Sequence, residues 1–177
     1  MSEETPPRCL DVNIVPTIAD DPQRVALAKG VNDTLNAYIG ITDSKAVAFL
    51  GGSTAAASFF LSKPVEGLAP TICFAVSAAG YVSGAVAAAS VIFPRIPARG
   101  QGTVFWGDIA SRGNPNTYAS DFERACETGG LLADYSRLNY FTSIILRCKI
   151  RRLRIAMLLC LGGLAVSLSY YIVSGLK

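Results

Sequence analysis

The stretch Gly67–Phe93, GLAPTICFAVSAAGYVSGAVAAASVIF, holds 27 residues without a charge. A hydrocarbon core about 30 Å thick takes about 20 apolar residues of α-helix at 1.5 Å each, so the stretch reads as a membrane-spanning helix. Two further uncharged runs flank it. Ala46–Ser62 has 17 residues between Lys45 and Lys63, whose stems lend it length by reaching to the interface. Ile155–Leu176, IAMLLCLGGLAVSLSYYIVSGL, has 22. Buried helices of soluble cores usually carry runs of about 10–14 apolar residues, so three runs this long point to a bilayer.

Composition agrees with that reading. The 177 residues are 51% hydrophobic and 16% charged, with a mean hydropathy of +0.38, too apolar for disorder or for an ordinary soluble domain. A net charge of +3 is too small to imply nucleic acid. The chain is one domain in size, which excludes a large multi-domain enzyme. It has no histidine, which removes Ser-His-Asp and Cys-His nucleophilic sites and His-ligated zinc. Cys9, Cys73, Cys126, Cys148 and Cys160 are odd in number and contain no Cys-x-x-Cys, so neither a disulfide framework nor a metal site is expected, and no cofactor.

The basic residues set the orientation. Ten of the 16 lie between the second and third runs, from Arg95 to Arg154, against five acids. Lys and Arg stay on the cytoplasmic side, which puts residues 94–154 and the N-terminus inside and the C-terminus outside. Arg147, Lys149, Arg151, Arg152 and Arg154 abut the third run, where they are expected to anchor the helix at the membrane surface and grip anionic lipid heads. The N-terminal residues are polar, with no signal peptide, so the spans are expected to be internal and retained.

The expected fold is an all-α membrane protein, with three transmembrane helices and cytoplasmic helical extensions. A flexible tail covers 1–21, an amphipathic cytoplasmic helix 22–45, transmembrane helices 46–62, 67–93 and 155–176, and a cytoplasmic helical region 94–154. Asp21-Pro22 reads as a helix start, and Val25, Ala28, Val31, Leu35, Tyr38 and Thr42 as one apolar stripe, with Arg24, Asn32, Asp33, Asn36 and Asp43 on the polar side. One rod from about 22 to 62 is compatible with this pattern. Arg99-Gly100-Gln101-Gly102 reads as a connector with a weak phosphate-loop signature. Thr103–Ile109 suits a short strand or a buried connector, and Arg112–Asn116 a turn. Thr117–Glu127 reads as a helix with Tyr118, Phe122 and Ala125 on one side. After Gly129-Gly130 another follows, with Leu131, Tyr135, Leu138, Thr142 and Ile145 on one stripe, able to run on into the third span.

Small residues recur at four-residue steps in the membrane runs: Gly80, Gly84 and Ala88 in the second, Gly51/Ala55 and Gly52/Ala56 in the first. They allow close backbone approach, either within one chain or between copies. No Asp, Glu, Lys or Arg lies inside a run, which argues against an ion-coupled carrier.

Asn36-Ala-Tyr-Ile-Gly-Ile-Thr-Asp43-Ser-Lys45-Ala46, leading into the first run, resembles the first motif of the transmembrane effectors of bacterial Pycsar antiphage systems. Phe105-Trp106-Gly107-Asp108-Ile109-Ala110 resembles their second, and the helix carrying Lys149 before a final span their third. The resemblance covers residues 22–175. It implies a non-enzymatic effector in the bacterial inner membrane, activated by cyclic CMP or cyclic UMP from a partner pyrimidine cyclase. It also implies that the effector impairs the membrane and so aborts infection. A homo-oligomer is expected. The motifs point to Asn36, Asp43, Lys45, Gly107 and Asp108 for ligand contact, Trp106 is available to stack on the base, and arginine is a natural fork for phosphate. Asp43 and Lys45 equally suit a helix anchored at a membrane surface, and Asp108 a turn cap. A constitutive membrane scaffold that binds a protein partner through its cytoplasmic helices is the competing reading.

Overall fold

Asp21 starts the first helix: its Oδ1 accepts the Gln23 N–H at 3.0 Å, and Pro22 takes the first helical position, where no N–H is needed. Helix α1 then runs from Pro22 to Leu61. The computed structural model describes residues 21–62, 67–93 and 102–175; the expected tail therefore lies, but for Asp21, outside the described residues. α2 spans Leu68–Ile92, α3 Trp106–Ala110, α4 Pro115–Thr128 and α5 Gly130–Gly175. Among the described residues there is no strand. Of the stretch Thr103–Ile109, residues 103–105 form a connector with Thr103 buried, as one of the two expectations had it, and the rest enters the short helix α3; the strand is not formed. Asn114 caps α4 by accepting the Asn116 N–H at 2.8 Å, with Pro115 following. Gly129 ends α4 at φ 73°, a left-handed conformation that suits glycine.

The described residues form two compact units, one within 31–97 and 139–177, the other within 1–30 and 98–138. The first is a bundle of α1, α2 and α5. Asp43 meets Lys149 and Ser53 meets Cys160, so equal advances along α1 and α5 bring new partners together, and the two helices run parallel. α2 runs against them: Gly80 lies opposite Gly163, Gly84 opposite Ala156, and Ser90 opposite Arg152. The inward residues of α1 in this unit include Asn32, Leu35, Ile39, Thr42, Ala46, Phe49, Ser53, Ala56 and Phe60, with Ala57 buried beside Ala56. Their steps of three and four are heptad spacing, the pattern of a helix packed lengthwise against others. Val31 and Tyr38, expected on the buried stripe, are exposed, and Asn32, expected on the polar side, is buried.

Backbones approach most closely at glycine. A Cβ on Gly80 would stand 3.0 Å from the Gly163 Cα, one on Gly163 would stand 3.1 Å from the Ser77 carbonyl oxygen, and one on Gly84 would collide with the Cys160 Sγ. Gly80 and Gly84 thus serve packing within the chain. Gly51 and Gly52 differ, because nothing lies within 4 Å of where their Cβ would be.

The bundle turns its bulky apolar side chains outward. Val82 and Val86 of α2 and Leu158, Leu161 and Ile172 of α5 are all more than half exposed. The hydroxyls turn back onto their own helix. Thr71, Ser77, Ser83 and Ser90 of α2, and Ser167 and Ser169 of α5, each donate to a carbonyl three or four residues earlier. That satisfies them without water, as hydrocarbon requires.

Two helices, not the three expected, are long and apolar enough to cross a membrane among the described residues. They are Pro70–Ile92 and the stretch Gly130–Ile172 that contains the last run. Only 22% and 17% of their apolar windows are buried, so these are not the core helices of a soluble domain. The run Ala46–Ser62 falls short in length: it has 17 residues and α1 ends at Leu61, so a stretch long enough to span takes in the charge of Lys45. The last run is the distal part of the unbroken 46-residue α5, not a separate element.

Gly80→Val and Gly163→Val should each lower bundle stability by about 1–3 kcal/mol through overpacking. Gly51→Ala and Gly52→Ala should raise it by up to about 1 kcal/mol each, since alanine fits the space and favours helix. Thermal unfolding followed by circular dichroism in mild detergent measures both signs.

Candidate functional site

In the bundle unit, polar groups recur along the α1–α5 seam. Asn32 is 8% exposed, and its Oδ1 accepts the Asn36 Nδ2–H at 2.9 Å. Ten residues on from Asn32, Thr42 is buried with its hydroxyl on the Tyr38 carbonyl, and at the next residue Lys149 donates to Asp43 Oδ1 at 2.5 Å. Another helical stretch on, the Ser53 hydroxyl lies 2.8 Å from the Cys160 Sγ. Beyond it come aromatics: Phe60 stacks on Tyr81 with ring centres 5.6 Å apart, and the Tyr81 hydroxyl lies 3.5 Å from that of buried Ser167.

The Asp43–Lys149 pair dominates the electrostatics of this unit. The Lys149 side chain is 10% exposed and Asp43 33%, so the cation is nearly out of solvent while its counter-ion keeps one edge outward. An ammonium group is withdrawn from water at a cost of several kcal/mol unless an anion meets it. Asp43 supplies that anion from the other long helix, which makes the pair a tie between α1 and α5.

The second unit is built around Gly102 and Thr103. The Asp134 Oδ2 accepts the Thr103 N–H at 2.9 Å and its hydroxyl at 2.5 Å. Buried Asp108 accepts the Gly102 N–H at 3.0 Å through Oδ2, and a Cβ on Gly102 would press on that oxygen. Arg112 binds Asp121, donates to the Gly102 carbonyl at 3.2 Å and sits 5.8 Å over the Tyr118 ring. Three aspartates and one arginine thus fix a short turn of backbone. Gly102 closes the expected phosphate-loop signature, whose other residues lie outside the described ones, and its N–H is spent on Asp108. α4 buries none of its residues, and Phe122, expected on its apolar side, is exposed.

The expected ligand residues divide between the units. Asn36, Asp43 and Lys45 belong to the bundle, Trp106 and Asp108 to the other unit. Asn36 is exposed and turned to Asn32; Lys45 is exposed without an ion pair among the described residues. Trp106 opens α3. The basic cluster also divides, and here the expectation of five surface anchors is corrected. Lys149 is buried against Asp43, and Arg152 is half-buried, donating to the Ser90 carbonyl at 3.0 Å at the end of α2. Arg147, Arg151 and Arg154 are exposed. Sequence reading passed over Thr103, Arg112, Asp121 and Asp134 because their partners come from separate elements and follow no spacing rule. Asn32 was legible in part, since an asparagine four residues from another on a helix can bond it. Among the described residues no three His, Cys, Asp or Glu side chains gather closely enough to hold a metal ion.

The model of the Pycsar effector protein domain matches residues 27–174, which take in residues of both units. The chain belongs to that family and is a membrane effector of the Pycsar antiphage system. No curated protein and no solved structure matches it.

Asp43→Asn strands a buried ammonium group and should lower stability by about 3 kcal/mol, the lower end for a buried pair because Asp43 keeps some solvent. Adding Lys149→Met to it should restore most of the loss. Unfolding of the single and double variants in mild detergent checks both.

Proposed function

We propose that this effector responds to a cyclic pyrimidine nucleotide, cyclic CMP or cyclic UMP, made by a partner cyclase, and that it answers by impairing the inner membrane so that infection aborts. The family match carries the reading, because it takes in the polar unit as well as the apolar helices. Polar residues in each unit offer surface on which a soluble messenger can act, and the apolar helices supply the target. No enzymatic step is invoked. Ligand binding does the work by favouring one arrangement of helices over another, and the shift can be no larger than the difference in affinity between them.

In this reading the described bundle crosses the membrane, with the N-terminus and residues 94–154 inside and the C-terminus outside. Ten cations between Arg95 and Arg154 support that orientation. The uncharged run of α1 is shorter than those of α2 and α5, yet its contacts from Ser53 to Phe60 with Cys160, Tyr81 and Tyr171 carry its end to the depth of their apolar parts. The open faces of Gly51 and Gly52 suit contact between copies in a homo-oligomer. Asn36, Asp43, Lys45, Trp106 and Asp108 are the proposed ligand contacts. Lys45 is exposed without an ion pair among the described residues, and is the one suited to meet a phosphate.

The uncovered Phe122 of α4 favours a second reading, a constitutive scaffold that docks a protein there. The two differ in their response to messenger. In cells producing the effector, raising cyclic CMP or cyclic UMP with a co-expressed pyrimidine cyclase should collapse membrane potential, read with a potential-sensitive dye. Lys45→Ala should raise the messenger level needed by about tenfold or more, the loss of one charge-assisted contact. A potential unchanged by either nucleotide refutes the messenger reading and leaves the scaffold.

A further inference from the structure

Of the five cations that precede the last apolar run, two are spent inside the bundle: Lys149 on Asp43, Arg152 on the Ser90 carbonyl. The remaining three, Arg147, Arg151 and Arg154, are exposed and form no ion pair among the described residues. Their steps of four and three place them on one line along α5, about 10 Å from first to last at 1.5 Å per residue. The line does not stop there. Further steps of three and four reach Leu158, Leu161, Leu168 and Ile172, all more than half exposed. One outward stripe of a single helix therefore changes, within a turn, from guanidinium groups to bare aliphatic side chains.

We propose that this stripe is a binding surface for an anionic phospholipid, whose phosphodiester is held by Arg147, Arg151 and Arg154 while its acyl chains lie along Leu158, Leu161 and Leu168. The charge is complementary, and guanidinium forks match phosphate oxygens in pairs. The order of the stripe decides the occupant. A free nucleotide gains nothing from the leucines, whereas a lipid meets both halves at the depths where its own head and tails lie. Three arginines two turns apart also give a lipid with two phosphodiesters room for both. The proposal rests on the reading that the distal part of α5 lies in the bilayer.

The test uses the full chain reconstituted into phosphatidylcholine bilayers. The relative association of spin-labelled phosphatidylglycerol and cardiolipin, against spin-labelled phosphatidylcholine, is read by electron paramagnetic resonance. Both anionic lipids should be preferred. The preference should fall about fivefold for each of Arg147→Gln, Arg151→Gln and Arg154→Gln, and about a hundredfold for the triple variant. Arg137→Gln, earlier on the same helix, should leave it unchanged. The single variants keep the test open if the triple variant loses its helical circular dichroism. Equal association of all three lipids with a chain that has entered the bilayer overturns the lipid site and spares the membrane reading. Failure of the chain to enter bilayers overturns both. Displacement of the anionic lipid by added cyclic CMP or cyclic UMP at low ionic strength reassigns the arginines to the messenger and overturns the proposal.

Discussion

Hydrocarbon is the solvent that the outside of α2 and the distal part of α5 demands. Valines, isoleucines and leucines stand bare on that surface, while the hydroxyls of Thr71, Ser77, Ser83, Ser90, Ser167 and Ser169 close onto carbonyls of their own helices. In water the arrangement would expose a large apolar patch. In lipid it costs little, because those hydroxyls and the backbone groups within each helix are bonded without water. Where both sides of a helix are equally apolar, burial no longer drives association, and close packing with internal polar contacts takes over. The Gly80–Gly163 approach and the Ser53–Cys160 contact follow from that condition.

The Asp43–Lys149 pair belongs to the same logic at its polar edge. The charge-free run of α1 starts at Ala46 and that of α5 at Ile155, so the pair stands just ahead of both. It joins the two parallel helices at a level where a buried ammonium group has one partner. A tie of this kind fixes register as much as it adds stability. Arg152 performs the matching task for α2 by closing on the Ser90 carbonyl near its end.

Much of this was legible in the residues. Asp21-Pro22, the breaks at RGNPN and Gly129, and the run of α5 into the last apolar segment are local signals, and the helices begin and end close to them. The inward face of α1 was harder. Its line carries Asn32, Thr42, Ala46 and Ser53 where a soluble coiled coil would carry leucines, so the expected stripe holds at Ala28, Leu35 and Thr42 but fails at Val31 and Tyr38, which are exposed while Asn32 takes the inward place. The count of spans differs for another reason. Ala46–Ser62 is apolar but only 17 residues long, and length borrowed from the stems of Lys45 and Lys63 does not bring it to the size of the two helices that qualify. The fixed turn at Gly102–Thr103 was out of reach, because it depends on Asp134, 31 residues from Thr103.

A membrane effector built this way turns an outward apolar surface to the bilayer, and its two long helices, α1 and α5, each contribute residues to both units. The measurement that bears most directly on this account is extraction of cell membranes at high pH, which strips proteins held only at the surface. The chain should remain with the sedimented membranes and leave them only in detergent. Its appearance in the alkaline supernatant would contradict the account, because side chains such as Val86 and Leu158 would then be facing water.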